Sequence, residues 1–278
     1  MSTNPLQQYF RQPAIYIKLP SDGNFYPPGA LDMTPNREFP VLPMTAVDEI
    51  TYRTPDALFN GTAVVDVIKS CLPNIKDPWK MPSIDVDTVL ASIRIASYGH
   101  ELDIDCRCTK CDNVDEVSID LRSAIEKIKS PDYSKNIPYG DLEIYFCPMT
   151  YQDINENNLA QFEDQKLMQI VEDQTASDEQ KRKQMSDILK KITDMTMKAL
   201  AKSIAYIKTP ESRVDDKTHI SEWLTNCDRA LFNKIRDHIV SCKKTAELQP
   251  FKMKCTGCGN EYDQVYTLDL SNFFGDAS

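Results

Sequence analysis

Two short stretches decide the fold: "CTKCDN" at Cys108–Asn113 and "CTGCGN" at Cys255–Asn260. Both follow one pattern, Cys-Thr-x-Cys-x-Asn, although they lie far apart in the chain. Before and after each stretch, apolar and polar residues alternate, which is typical of β-strands. Each copy is therefore predicted to be a β-hairpin whose turn, a cysteine knuckle, brings two thiols to one point. The alternating positions are Leu102, Ile104, Cys106, Val117, Ile119 and Leu121 around the first knuckle, and Phe251, Met253, Tyr266, Leu268 and Leu270 around the second.

The four cysteines of these turns are the predicted metal ligands: Cys108, Cys111, Cys255 and Cys258. Zinc binds four ligands in a tetrahedron, and two facing knuckles supply four thiolates. Because sulfur then fills every position, no place is left for water or substrate, and we expect a structural site with one zinc per chain. The long separation costs little, since the entropy of loop closure grows only with the logarithm of loop length. Cys106 has Met253 as its counterpart, so we expect Cys106 to face the core.

Other interpretations of the cysteine pairs stay open. A redox dithiol belongs in a thioredoxin-like βαβ unit with a helix starting at the motif, whereas strands are predicted on both sides of each pair here. The pairs could also be unligated and their repetition a coincidence. A zinc ribbon that grips nucleic acid is not favoured, because neither tip is basic: Lys110 stands beside Asp112, and the second tip carries glycines.

The composition bounds the class of protein. A chain of 278 residues with 41% hydrophobic residues is long enough for one or two globular domains. Its net charge of −10 makes nucleic acid an unfavourable partner. It contains no apolar run of membrane-spanning length, and its first twenty residues do not follow the pattern of a secretion signal. We therefore expect its nine cysteines to be reduced, and to bind metal or fill cores.

Sequence motifs of enzymes are missing. The chain has no GxGxxG, GxxxxGK[ST], HExxH or GxSxG, and it holds only three histidines. No catalytic and no cofactor-binding residues are predicted, and the expected protein is not an enzyme.

Four segments are predicted from the changes in composition. Residues 1–50 form a proline-rich extended segment, and residues 51–149 a helical region with the first knuckle and a strand. Residues 150–244 form an inserted helical subdomain, and residues 245–278 the second knuckle hairpin, which completes the ribbon. The predicted fold class is α+β: a mixed body with a split four-cysteine zinc ribbon and an inserted helical hairpin or small bundle.

Several helices carry recognisable ends. Thr54 is a predicted N-cap, with Pro55 at the first helical position. A break at Asn60-Gly61 divides this helix, and Thr62 is the predicted N-cap of the second helix. A helix ending at Gly99 has aspartates in its first turn, where they suit the helix dipole.

Residues 150–244 read as three helices. One covers residues 150–173, a second runs from a capping box at Ser177 to Ile207, and a third starts near His219 and carries one continuous apolar side. His219 and His238 are interpreted as ordinary surface or cap residues of this third helix.

Several short sequence segments, spaced along the chain, resemble the baseplate hub family of T-even-like contractile-tail bacteriophages. They are "IKLPSDGNFY", "PVLPMTAVDEI", "RTPDALFNGTAVVDVIKSCLPNI" and "DVDTVLASIRIASYG", followed by the first Cys-x-x-Cys pair. The resemblance is densest over residues 15–125. It implies a non-enzymatic subunit that helps to build the central hub of the tail baseplate, and it carries over no catalytic residues.

The expected function follows from this resemblance and from the cysteine pairs. The partners would be other baseplate or tail hub proteins, and the location the tail baseplate of the virion, after assembly in the host cytoplasm. An oligomer within the hub is left open. The alternatives are an assembly chaperone that is absent from the mature virion and, further away, a thiol-redox or wall-hydrolase enzyme.

Overall fold

The computed structural model describes residues 4–52, 61–171 and 178–265. Its contacts divide the chain into two compact units: unit 1 is Met1–Ser130 with Lys244–Ser278, and unit 2 is Pro131–Lys243. Helices and strands are mixed in both units, which confirms the predicted α+β class. The finer division into four segments stays a prediction.

Unit 1 begins with a small layer of strands and helices. A short 3-10 helix at Pro5–Tyr9 precedes two antiparallel strands, β1 Ile15–Ile17 and β2 Phe39–Val41, in which Ile15 lies opposite Val41. Arg11 fastens this first segment: its guanidinium donates to the backbone and hydroxyl oxygens of Ser70 at 2.7 Å each, and it pairs with Asp48 at 3.3 Å. The elements of this layer are β1 Ile15–Ile17, β2 Phe39–Val41, α1 Ala46–Tyr52, α2 Thr62–Cys71, a 3-10 helix at Pro78–Lys80, and α3 Ser83–Tyr98.

Helix α3 is the buried centre of this layer. Every residue from 88 to 94 is buried, so the helix is covered on all sides along its middle. Asp85 in its first turn is also buried, and its carboxylate accepts hydrogen bonds from the Ser21 backbone N–H, the Ser21 hydroxyl and the Tyr26 hydroxyl. These bonds tie the turn after β1 to the start of α3.

Two hairpins complete unit 1. Strands β3 Glu101–Arg107 and β4 Val114–Asp120 pair antiparallel, followed by α4 Leu121–Glu126. Strands β9 Phe251–Lys254 and β10 Glu261–Gln264 pair in the same way. Both predicted knuckle hairpins are thus present. The predicted positions Tyr266, Leu268 and Leu270 lie outside the described residues.

Unit 2 is built on a four-stranded antiparallel sheet. Its strands, in spatial order, are β5 Ile137–Tyr139, β6 Leu142–Phe146, β7 Ile204–Lys208 and β8 Arg213–Val214. Across β6 and β7, Ile144 lies opposite Ile207 on the buried face, and the rings of Tyr145 and Tyr206 stack at 4.5 Å on the other.

The helices of unit 2 are α5 Tyr151–Val171, α6 Asp178–Lys202, α7 Lys217–Asn226 and α8 Arg229–Ala246. Helices α6, α7 and α8 pack on the buried face of this sheet. Their shared apolar core with the sheet consists of Ile144, Phe146, Ala201, Ile204, Ile207, Ile220, Leu224, Leu231 and Ile235. The long pair α5 and α6 is the inserted helical element that the sequence predicted.

Two predictions for this part of the chain are wrong in detail. The second helix ends at Lys202 instead of Ile207, because Ile204–Lys208 leaves it and pairs with β6. The predicted third helix is two helices, since the Asp228 carboxylate accepts from the backbone N–H groups of Ala230 and Leu231 and so starts a new helix.

One helix cap differs from its prediction. Gly61, in a left-handed conformation with φ of 77°, takes the N-cap position of α2 that was assigned to Thr62. The predicted caps Thr54 and Ser177 lie outside the described residues.

Within the described ranges, every helix is too short or too polar for a membrane span.

Candidate metal centre

Both knuckles have the same backbone turn. In the first, the Cys108 N–H donates to the Asn113 carbonyl at 2.8 Å, and the Asp112 N–H donates to the Cys108 carbonyl at 3.1 Å. In the second, Cys255 bonds to Asn260 and Gly259 to Cys255, both at 2.9 Å.

The conformation of one turn residue is repeated as well. Asp112 and Gly259 occupy equivalent places and have positive φ of 56° and 71°. Glycine adopts this left-handed conformation freely, and aspartate tolerates it better than most residues. The sequence repeat is therefore a repeat of local structure.

The two knuckles meet at their sulfur atoms. The Sγ atoms of Cys108 and Cys258 are 3.7 Å apart, and those of Cys111 and Cys255 are 3.6 Å apart. All four sulfurs lie within 4.8 Å of one another. The structure therefore brings together all four cysteines that the sequence nominated.

This spacing fits a tetrahedral metal site. Zinc–sulfur bonds near 2.3 Å place neighbouring sulfurs of a tetrahedron about 3.8 Å apart. The contacts between the two knuckles match that value, whereas a disulfide would need sulfurs about 2.05 Å apart. Soft thiolates in a four-sulfur set select zinc or iron–sulfur centres over hard cations such as magnesium or calcium.

Burial is shared evenly between the knuckles. The first cysteine of each pair, Cys108 or Cys255, is buried, whereas Cys111 and Cys258 are exposed. Each hairpin thus contributes one buried cysteine and one exposed cysteine to the site.

Protons cannot leave all four thiols independently. The Lys110 backbone N–H donates to Cys108 Sγ at 3.4 Å and lowers the pKa of this thiol to about 6. The Asn113 backbone N–H lowers the pKa of Cys111, but the sulfurs of Cys258 and Cys255 outweigh it and raise that pKa to about 12. A divalent cation would allow all four thiols to ionise together, because its positive charge compensates the charge of the thiolates that bind it.

The other cysteines have different surroundings. Cys71 and Cys106 are fully buried, and for Cys106 this confirms the prediction that it faces the core. Cys147 is half-buried and donates to the Lys202 carbonyl at 3.5 Å. His238 differs from its prediction as a surface residue: it is half-buried, its ring lies 4.3 Å from that of Phe146, and burial lowers its pKa.

A comparison with protein-family models finds a match over residues 44–275. The family is described as "T4 bacteriophage base plate protein". The chain belongs to this family. The match covers most of the chain, including both knuckles, and so confirms the suspected resemblance to a baseplate protein. Searches of the curated proteins and of the solved structures gave no match.

Membership of the phage base plate family sets the biological context. The protein is a structural component of the tail of a virion, and its partners are other phage baseplate proteins. The family also favours a role without catalysis.

The sequence repeat did not predict the polar contacts between the two knuckles. The Asp115 carboxylate accepts hydrogen bonds from the Thr256 backbone N–H and hydroxyl, and the Asn113 side-chain amide donates to the Thr256 hydroxyl at 3.3 Å. A signal for them was present, because the repeat aligns Asp115 with Tyr262 and so marks a position where the two copies differ.

Proposed function

We propose that this chain is a non-enzymatic structural or assembly subunit of the phage tail baseplate hub, which binds other hub proteins and carries one structural zinc ion. Membership of the base plate family supports the first part. The zinc rests on one observation, the spacing of 3.6 and 3.7 Å between sulfurs of opposite knuckles.

A structural ion explains why the cysteines stand in a closed set. Four sulfurs fill the coordination shell of zinc, so a substrate or a water molecule would have no position. The ion would also join chain segments more than 140 residues apart, because two of its ligands come from each knuckle. Binding such an ion contributes directly to folding stability, since the unfolded chain does not hold the four sulfurs together.

Metal content and thiol reactivity test the zinc. We expect about one zinc per chain in the reduced protein, and loss of it in Cys111→Ser. Cys242→Ser is the matched control, because Cys242 is a half-buried cysteine in unit 2. Zinc-free wild-type protein, or four sulfurs that react with iodoacetamide as fast in the presence of zinc as in its absence, would contradict the proposal.

Exposed apolar side chains on unit 1 support the binding of partners. Leu6, Tyr9 and Phe10 are exposed to 62%, 77% and 56%, and Val47 on α1 to 71%. Phe10 and Val47 are the chain neighbours of the Arg11–Asp48 ion pair, which holds their two segments together. Aromatic side chains of this kind carry a large share of the binding energy in protein interfaces.

We assign these side chains to contacts with another subunit of the baseplate hub. A double variant, Tyr9→Ser with Phe10→Ser, should weaken binding to the hub partner by about 10-fold or more. Val240→Ser removes an apolar side chain that is 43% exposed in unit 2 and should leave binding unchanged. A chain that stays monomeric at micromolar concentration with every hub component would contradict the assignment.

A subunit of the finished hub differs from an assembly chaperone in one respect. Mass spectrometry of purified virions should detect the chain if it is retained as a subunit. Its absence from virions, together with binding to hub proteins before assembly, would establish the chaperone role instead.

A further inference from the structure

One polar contact between the two knuckles, that of Asp115 with Thr256, has no counterpart at the equivalent residues of the repeat. At equivalent places of the repeat stand Thr109 and Thr256, and likewise Asp115 and Tyr262. Asp115 accepts two hydrogen bonds from Thr256 of the opposite knuckle, from its backbone N–H at 3.1 Å and from its hydroxyl. At the equivalent position of the second knuckle stands Tyr262. Its buried hydroxyl has no hydrogen-bond partner within the described part of the chain, so it forms no hydrogen bond with Thr109.

Asn113 completes this contact from the same side. Its side-chain amide donates to the Thr256 hydroxyl at 3.3 Å and to the Asp115 carboxylate at 2.9 Å. The three side chains therefore form a small network in which one residue of the second knuckle is held by two residues of the first.

The second knuckle also has the space that this approach requires. A side chain at Gly257 would bring its Cβ to 3.2 Å from Asn113 Cγ, which is tighter than ordinary packing. The equivalent residue in the first knuckle is Lys110, which is exposed, so the second copy has a glycine at the place where Asn113 comes close.

Thr256 lies between the two cysteines of its knuckle, Cys255 and Cys258, in the chain. A group that fixes its backbone N–H and its hydroxyl therefore fixes the orientation of both sulfurs. Polar groups that orient metal ligands in this way strengthen metal binding, and their loss typically costs about 10–100-fold in affinity.

We propose that Asp115 is a positioning residue for the four-cysteine site: it holds the second knuckle against the first and thereby sets the affinity of the site for zinc. The inference rests on the proposed zinc site and adds that the second knuckle is joined to the first through Thr256. Asp115 itself does not bind the metal, because the four sulfurs complete the shell.

Zinc affinity of the reduced full chain tests this, measured by competition with a chromophoric chelator. We expect Asp115→Ala and Thr256→Val to weaken zinc binding by about 10-fold or more. Thr109→Val removes the equivalent hydroxyl of the first knuckle, and Glu116→Gln removes the adjacent exposed carboxylate; both should bind zinc as the wild type does. Asp115→Asn keeps one acceptor oxygen and should fall between wild type and Asp115→Ala.

Two further readouts separate positioning from other roles. Cobalt at saturating concentration should give the same tetrahedral thiolate spectrum in Asp115→Ala as in the wild type, since all four ligands remain. The double variant Asp115→Ala with Thr256→Val should lose less affinity than the sum of the two single losses, because both substitutions remove the hydrogen bond between the Thr256 hydroxyl and the Asp115 carboxylate.

The outcomes are distinct. Wild-type protein that binds no zinc contradicts the proposed zinc site and this inference together. Wild-type protein that binds zinc, with Asp115→Ala and Thr256→Val within about twofold of it, overturns only the positioning role. Equal losses in Thr109→Val and Thr256→Val would also overturn it, because the loss would then not depend on the contact of Asp115 with Thr256.

Discussion

Asp85 is the buried carboxylate whose removal should cost unit 1 the most stability. It is 0% exposed, and it accepts from the Ser21 N–H at 2.8 Å, the Ser21 hydroxyl at 2.6 Å and the Tyr26 hydroxyl at 3.0 Å. Asp85→Ala leaves three donors without an acceptor in a buried place. Each unsatisfied buried group costs about 1–3 kcal/mol, and since the turn can relax and admit water, we expect a loss of about 3–5 kcal/mol in the free energy of unfolding.

The same carboxylate makes stability depend on pH. Burial raises the pKa of Asp85 to about 6, against the opposing effect of the hydrogen bonds from Ser21 and Tyr26. Because its pKa in the unfolded chain is about 3.9, the folded state holds the proton more tightly. The stability from this group is therefore complete below about pH 4 and is lost as the pH rises through 6.

Asp85→Asn isolates this effect, because asparagine has the same shape and no titration. Wild type should lose about 1.4 kcal/mol relative to Asp85→Asn between about pH 5 and pH 7.5. Asp66→Asn is the control, since Asp66 is exposed on α2, and it should change stability by less than about 0.5 kcal/mol at either pH.

Urea unfolding provides the assay, with one tryptophan as a reporter of unit 1. Of the two tryptophans, Trp79 lies in unit 1 and Trp223 in unit 2, so a Trp223→Phe background confines the fluorescence signal to unit 1. A loss below about 1 kcal/mol in Asp85→Ala would refute the reasoning on unsatisfied donors. An equal pH dependence in wild type and Asp85→Asn would refute the raised pKa.

Two other substitutions give further checks by the same unfolding measurement. Gly23→Ala should destabilise unit 1 by about 1–2 kcal/mol, because Gly23 has a φ of 78° and the new Cβ would lie 2.5 Å from Met33 Sδ; a neutral effect would contradict this. Arg11→Ala should cost about 1–3 kcal/mol, since it removes the half-buried guanidinium that donates to Ser70 and pairs with Asp48, and Arg11→Lys should recover only part of that loss.

The knuckles were predictable because their signal is local and repeated. A Cys-x-x-Cys turn between alternating strands specifies its own geometry, and two copies imply a shared ligand set. The meeting of Cys108 with Cys258 across the chain followed from chemistry alone, without any knowledge of the segment between them.

Strand β7 shows why unit 2 was harder to predict. Ile204–Lys208 directly follows a helix and carries apolar residues at positions that also suit a helical stripe, so the pattern did not separate the two structures. Pairing with β6 decides the conformation, and a pairing between distant segments leaves no local mark in the sequence.

Asp85 illustrates a second limit. The sequence placed it in the first turn of a helix, where a carboxylate suits the helix dipole, and gave no sign of its burial. The structure buries it under the turn at Ser21–Tyr26, because three donors of that turn converge on it. Such a partnership depends on packing between remote segments, and residue types alone do not specify it.

X-ray absorption at the zinc edge of the reduced, purified full chain tests the central claim most directly. The two knuckles are predicted to give about one zinc per chain, bound by four sulfurs at about 2.3 Å. Zinc bound by fewer than four sulfurs, or a reduced chain that retains no zinc, would contradict the shared site.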